Sequence, residues 1–370
     1  MADQIVVIKR RKTRRIYIGK VPVGDGAPIP VQSMTKTDTR DAGATLTQIH
    51  SLAKAGCEII RCAVPDEKAA CALREICAAS PLPVIADIHF NHKIALYALE
   101  AGVQGLRLNP GNLGKSQHVK IVAREALSRK VPIRVGVNAG SLSEAWREKV
   151  HQGSITIEEA MVESALGQIR LLEDCGFDQI KVALKASDVL TTIMAYRLMA
   201  QRCDYPFHAG ITETGTPRTG IIKSCVGIGA LVLEGLVDTL RVSLTADPLE
   251  EVFVGIRILQ SLGLREAGPD LISCPTCGRM EINLRDLANK VEEALAGETI
   301  PIKVAVMGCV VNGPGEAREA DVGIAGGKGV GIVFRKGEII DRVDEKDLLA
   351  ALVGEIERFK KEKGKVTEGN

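Results

Sequence analysis

Short apolar runs alternate with amphipathic stretches along the first two thirds of the chain. From residue 30 to about 263, the runs 31–34, 58–64, 84–87, 105–108, 133–137, 179–183, 206–211 and 239–244 carry the signature of strands. Between them, apolar positions recur every three to four residues. That period predicts helices over 46–55, 94–101, 157–175, 189–201 and 249–262, among others. Eight strand–helix alternations over ~235 residues predict an α/β fold, a closed parallel (β/α)8 TIM barrel. A doubly wound open sheet is the competing architecture. It calls for a glycine-rich dinucleotide turn after its first strand, and none follows residue 34.

Ahead of the barrel, 15–19 and 21–24 read as an N-terminal hairpin. Behind it, 265–272, with Gly268-Pro269, reads as a polar linker. A second unit then shows a helix at 284–295 and strands at 302–306 and near 322–324. A hairpin of 330–334 and 338–343 turns at Lys336-Gly337, and a last helix runs from 346 to about 360. The expected organisation is a barrel domain over 1–264, a linker over 265–272 and a smaller α+β domain over 273–370. The Lys-rich end beyond 360 reads as a solvated tail.

Composition refines this picture. The 370 residues are 45% hydrophobic, enough for a sizeable core. A net charge of +2 creates no global field toward nucleic acid or membrane. Aromatics at 3% weaken any base-stacking model. The basic run 9–12, with Arg14 and Arg15, lacks aromatics and leads straight into a strand, so no nucleic-acid partner is expected. No apolar run can span a bilayer, and no signal-peptide core follows Met1; the expected setting is cytoplasmic. Of the ten cysteines, Cys57, Cys62, Cys71, Cys77, Cys175, Cys203 and Cys225 fall in predicted helices or strands as small hydrophobes, which suits a reducing compartment.

The other three carry chemistry. Cys274-Pro-Thr-Cys277-Gly278 grips from one tight turn. Cys309-Val-Val-Asn-Gly-Pro-Gly-Glu316 brings a third thiol on a Gly/Pro-rich loop where backbone can approach an inorganic group closely. An iron–sulfur cluster with one unusual corner is one reading, and a structural zinc site is another. A zinc ribbon ordinarily adds a second Cys pair or a His pair. Neither follows, and no His occurs after His208.

Catalytic groups of a barrel sit at the C-terminal strand ends. Here those ends offer Arg61, then Asp87 and His89, then Arg107 with Asn109 two residues on. Next come Arg134 with Asn138, Lys181, His208 followed by Thr212-Glu213, and Arg241 with Ser243. Cations converging on one mouth repel one another unless an anion joins them, and obvious inward carboxylates are confined to Asp87 and Glu213. Arginine forks match phosphate oxygens, so a diphosphate is the natural ligand.

The chain resembles the 4-hydroxy-3-methylbut-2-enyl diphosphate synthase family, in its compact two-domain bacterial form. The resemblance rests on Pro30-Val-Gln-Ser-Met-Thr35, Arg107-Leu-Asn-Pro-Gly-Asn112, Arg134-Val-Gly-Val-Asn-Ala-Gly140 and Gly210-Ile-Thr-Glu-Thr-Gly215. It continues through Ser273-Cys-Pro-Thr-Cys-Gly278 and Met307-Gly-Cys-Val-Val-Asn-Gly-Pro-Gly-Glu-Ala317. It implies a 4Fe-4S cluster on Cys274, Cys277, Cys309 and Glu316. The implied reaction is reductive ring opening of 2-C-methyl-D-erythritol 2,4-cyclodiphosphate in isoprenoid synthesis, with flavodoxin or ferredoxin as donor. Arg61, Arg107, Asn109, Arg134, Asn138, Lys181, His208, Arg241 and Ser243 would hold this substrate. Glu213 would act as acid/base, and Asn312 would approach from the cluster loop. Glu316, a hard ligand beside soft sulfurs, would mark the exchangeable iron.

A barrel's last helix returns to the face opposite the mouth. Eight extended linker residues reach at most ~29 Å, about one barrel height. The expectation is therefore a head-to-tail homodimer in which each cluster domain covers the partner's mouth. Two other functional classes stay open on residues alone. One is a barrel lyase or transferase on a phosphorylated metabolite with a structural zinc ribbon. The other is a zinc-ribbon adaptor binding RNA or protein through the basic N-terminus. Radical S-adenosylmethionine chemistry lacks its Cys-x3-Cys-x2-Cys arrangement.

Overall fold

A computed structural model describes residues 8–89, 91–266, 268–295, 297–298, 300–309, 315 and 317–367. The chain divides into two compact units, Met1–Arg265 and Glu266–Asn370.

The first unit opens with a hairpin of β1 (Ile16–Ile18) and β2 (Val21–Val23). A six-stranded parallel sheet follows in chain order: β3 (Gln32–Met34), β4 (Ile59–Ala63), β5 (Val84–Asp87), β6 (Gly105–Arg107), β7 (Ile133–Asn138) and β8 (Ile180–Lys185). The short strands β9 (His208–Ala209) and β10 (Thr239–Leu240) pair in parallel. Isolated parallel bridges, Val182 to Phe207 and Val31 to Leu240, join this pair to both edges of the sheet and complete the ring. Each connection is helical: α1 (Ala42–Lys54), α2 (Glu67–Ala79), α3 (His92–Glu100), α4 (Ser116–Ser128), α5 (Glu144–His151), α6 (Ile157–Glu173), α7 (Val189–Ala200), α8 (Pro217–Leu233) and α9 (Pro248–Ser261). Helix starts are written locally. Asp41, Asp66, Asn91, Thr156, Asp188 and Asp247 each accept a first-turn N–H, and Thr156 with Glu159 closes a capping box.

Strand residues of one phase, such as Ile60, Cys62, Ala86, Leu106, Val135 and Val182, are buried in the main core shared with the helices. The other phase points inward. Its lowest residues, Ile59 and Ile85, pack on Ile16, Ile18 and Val23, so the hairpin closes the N-terminal end of the barrel. The basic run serves the same end. Arg10 pairs with Asp238 at 2.9 Å, and Arg14 with Asp204 at 2.8 Å. Arg11 donates to the carbonyls of Cys203 and Tyr205 and lies 4.0 Å over the Phe207 ring. These arginines fasten the chain to its own barrel.

Strands β9 and β10 are shorter than the predicted 206–211 and 239–244, and beyond β10 side chains take over backbone groups. Leu244 N–H is taken by the Glu251 carboxylate at 3.0 Å, and Ser243 C=O accepts from Thr214 Oγ1.

The second unit is a five-stranded sheet in the order β11 (Pro269–Ser273), β12 (Ile302–Met307), β13 (Val322–Ala325), β14 (Val330–Arg335), β15 (Glu338–Asp344). Strands β11, β12 and β13 are mutually parallel, and β14 and β15 return antiparallel. Helices α10 (Leu284–Ala294) and α11 (Leu348–Thr367) cover one face through Leu284, Val291, Leu348, Leu352 and Ile356. Ala305, Met307, Ala325 and Phe334 line the other. Gly323 makes room for that ring: a Cβ there would lie 2.4 Å from Phe334. The reading of 265–272 as linker is corrected, since Pro269–Ile272 lie within β11. Proline is tolerated as the first residue of an edge strand, where its missing N–H costs nothing. Residues 266–268 are what remains between Arg265 and the sheet. The last helix also reaches Thr367 rather than stopping near 360. Among the described residues no helix is long and apolar enough to cross a membrane.

Candidate active site

Period-two alternation aims a polar layer into the barrel directly above the apolar floor. Arg61, Asp87, Arg107, Arg134 and Lys181 are connected strand by strand. Asp87 registers with Arg107, Arg107 with Arg134, and Arg134 with Lys181. Arg241 comes from just beyond β10 and His208 from β9. Asn109 and Ser243 stand one inward step higher and Asn138 two, all half-buried. The barrel thus collects the residues that the sequence nominated for its mouth.

Asp87 is the first counter-ion. Its Oδ1 lies 3.2 Å from Arg107 NH1 and its Oδ2 3.4 Å from Arg61 Nε. Arg61 also donates to the Met34 sulfur at 2.9 Å. Burial alone would raise the Asp87 carboxyl, but Arg61, Arg107 and Arg134 pull it below its ordinary range. The reverse holds for the cations. Burial pushes Arg61 down to about 10, with Asp87 opposing and Arg241 and Arg107 adding to the shift. Arg134, Lys181 and His208 are pushed well down, by burial first and by neighbouring cations next. Among the described residues, Lys181 Nζ, His208 Nε2 and the Nε atoms of Arg107, Arg134 and Arg241 are buried without a hydrogen-bond partner. Donors in such a state await an acceptor.

Tethers hold this arrangement. Asn109 Oδ1 accepts from Gly136 N–H at 3.1 Å, which leaves its amide N–H2 free to donate. His208 Nδ1 is 2.8 Å from Thr239 Oγ1. Beside the mouth, a cavity of about 500 Å³ is lined by Arg107, Asn109, Asn138, His89, Trp146 and Gln168. Glu213 lies just beyond β9, exposed, at φ 54°. A left-handed backbone costs a non-glycine residue about 1–2 kcal/mol, and such strain concentrates at functional positions.

Two residues were missed by sequence reasoning. Lys185 is buried and shares the inward phase of Lys181; burial and then Arg134, Arg241, Arg61 and Arg107 push its amine well down. Ending the strand at 183 hid it, although the spacing 181, 183, 185 was visible. Glu251 is a second buried counter-ion, 3.5 Å from Arg241 NH2. It comes from an outer helix, and no local pattern marks a helical glutamate as inward.

In the second unit, Cys274 directly follows β11, and Cys309 follows β12 after Gly308. The two strands run parallel with Ser273 opposite Val306, so both thiol loops leave the same end of the sheet. Gly308 N–H donates to Cys274 Sγ at 3.3 Å, and Glu281 N–H donates to Gly308 C=O at 3.2 Å. Cys274 and Cys309 are half-buried, and Cys277 is exposed. Among the described residues these thiols do not close into a finished metal-binding group. Asn312 and Glu316 lie outside the described residues.

Comparison with known proteins fits both units. The model of the GcpE TIM-barrel domain matches residues 13–256, and that of the GcpE protein C-terminal domain matches 270–358. The chain belongs to the GcpE family. A GcpE relative from Geobacter sulfurreducens is 60% identical over 354 residues, covering 96% of this chain and 99% of its own. One from Maridesulfovibrio salexigens is 58% identical over 358 residues, with coverage of 96% and 99%. One from Clostridium perfringens is 50% identical over 350 residues, covering 95% and 99%. All three are named 4-hydroxy-3-methylbut-2-en-1-yl diphosphate synthase (flavodoxin), and none of the three carries a lyase, transferase or adaptor name.

Proposed function

We propose that this protein opens the ring of 2-C-methyl-D-erythritol 2,4-cyclodiphosphate reductively and releases 4-hydroxy-3-methylbut-2-enyl diphosphate. Two electrons and one proton enter. The ring carbon–oxygen bond to phosphate breaks, and a hydroxyl leaves as water. The observation that carries this reading is the set of Arg61, Arg107, Arg134, Lys181, Lys185 and Arg241 in one barrel, with Asp87 and Glu251 as their buried carboxylate partners. A bound diphosphate supplies the missing negative charge and accepts from the orphaned donors.

The chemistry is divided between the units. The cations hold the diphosphate and withdraw charge as the ring bond breaks. Asn109, Asn138, His208 and Ser243 orient the carbon skeleton. Glu213, presented by its strained turn, manages the proton at the departing hydroxyl. Asn312 belongs to the thiol loop and would approach the substrate from there. Three soft thiols on converging loops suit iron–sulfur ligation better than a lone half zinc site. Cys274, Cys277, Cys309 and Glu316 would hold a 4Fe-4S cluster, which supplies single electrons from a reduced flavodoxin or ferredoxin. Free thiols at all ten cysteines suit a reducing, cytoplasmic setting.

We further infer a head-to-tail homodimer. Arg265 is tied to the base of the barrel through Ile29 C=O and Glu58, which precede β3 and β4. From there to Pro269 the chain spans at most about 14 Å. The cations open at the other end. A thiol unit supplied by a second copy meets this constraint without unravelling β11. Leu190 and Met194 on α7, with Ile222, Val226 and Leu233 on α8, are exposed and give such an association an apolar face.

The test is an anaerobic incubation of the protein with the cyclodiphosphate and reduced flavodoxin or ferredoxin. The expected product is a linear diphosphate lighter than the substrate by one oxygen. Unchanged substrate, with reductant and cluster both shown intact, refutes the assignment.

A further inference from the structure

Glu251 sits in the first turn of α9, yet only 1% of it is exposed. Its Oε1 accepts from Leu244 N–H at 3.0 Å and lies 3.1 Å from Lys36 Nζ. Its Oε2 lies 3.5 Å from Arg241 NH2. One carboxylate therefore joins the arginine beyond β10, the loop that follows it, and the loop after β3. Arg241 Nε, on the same guanidinium, is buried and has no partner among the described residues.

A carboxylate in a first turn also favours the helix dipole. That role needs no burial, and the less buried Glu250 fills it. Burying a charged carboxylate costs several kcal/mol unless its partners compensate. The contacts, rather than the helix, account for this placement.

We propose that Glu251 is the positioning residue of Arg241. It reaches through the barrel wall from α9 and fixes the guanidinium by one nitrogen, so that the orphaned Nε–H is offered to the diphosphate. Lys36, 41% exposed, is held beside it at the rim by the same carboxylate. Glu251 itself touches no substrate. This inference rests on the reading that the barrel cations hold the diphosphate.

The experiment uses the full-length, cluster-loaded protein and the cyclodiphosphate without reductant, so that affinity is read without turnover. Glu251→Gln keeps an acceptor for Leu244 N–H and removes the charge. It is expected to weaken binding about tenfold, with a thermal melt confirming that the variant is fully folded at the assay temperature. With reductant added, KM should rise by a similar factor while kcat stays within about twofold. Arg241→Met should also weaken binding, and adding Glu251→Gln to it should cost nothing more. Independent losses that multiply, or an unchanged affinity in Glu251→Gln, overturn the proposal. An unchanged affinity in Arg241→Met overturns it together with the anion-site reading, and so separates the two failures. If Glu251→Gln does not fold, Glu251→Asp takes its place. It keeps the charge but shortens the reach, and its loss of affinity should again vanish in the Arg241→Met background.

Discussion

Asp87 and Arg107 face each other on neighbouring strands, with Oδ1 3.2 Å from NH1. Arg61 approaches the same carboxylate from the other side at 3.4 Å. Without ligand, this single charge restrains two arginines that otherwise repel each other. Asp87→Asn should therefore lower stability by about 3 kcal/mol, the usual cost of breaking a buried pair. Added cyclodiphosphate should recover more stability in the variant than in the parent, because it supplies the lost charge. Thermal melts with and without ligand check this; equal ligand-induced shifts would count against it.

Ligand binding should also take up protons. Burial and surrounding cations push Lys181, Lys185 and His208 well down in the ligand-free barrel. An entering dianion reverses part of that shift, so the complex holds more protons than its components. Affinity then falls as pH rises. Calorimetry in buffers of different ionisation enthalpy should report net proton uptake. Zero uptake, or release, contradicts the electrostatic account.

Glu213 separates binding from chemistry. Its φ of 54° fixes the turn beyond β9, and Thr214 Oγ1 donates to Ser243 C=O to hold that turn in place. Glu213→Gln should leave substrate affinity nearly unchanged and cut kcat by about 100-fold or more. A variant that loses affinity but retains turnover would move Glu213 from proton handling to simple binding.

The barrel was readable because its inward and outward phases differ in kind, apolar toward the helices and charged toward the axis. Arg61, Arg107, Arg134 and Arg241 declared themselves by breaking apolar runs. Glu251 did not, since a glutamate in a first helical turn looks like an ordinary dipole partner. Lys185 was lost to a strand end drawn two residues early. Strand β11 was hidden by Gly268-Pro269, a turn signal that an edge strand tolerates at its first residue. Tertiary pairing decided the cases of Glu251 and β11, which local pattern does not carry, whereas the alternation 181, 183, 185 did mark Lys185.

Hybrid dimers test the pairing of units. An Arg107→Ala protein has a damaged mouth and intact thiols, and a Cys309→Ala protein has the reverse. A randomly exchanged equimolar mixture should recover about a quarter of parental activity, since half the dimers are hybrid and each hybrid has one good mouth facing one good thiol set. No recovery, with subunit exchange demonstrated, argues for a site completed within one chain.

The central claim is that electrons reach the diphosphate ring through the Cys274, Cys277 and Cys309 loops. Its most direct measurement is a single turnover. Anaerobic protein carrying about four irons and four sulfides per chain is reduced and mixed rapidly with the cyclodiphosphate and one further equivalent of reduced flavodoxin, which supplies the second electron of each turnover. Reoxidation of the brown chromophore should track formation of the linear diphosphate, and Arg107→Ala should show neither. A colourless protein holding one zinc, or product formed without reoxidation, would contradict the claim.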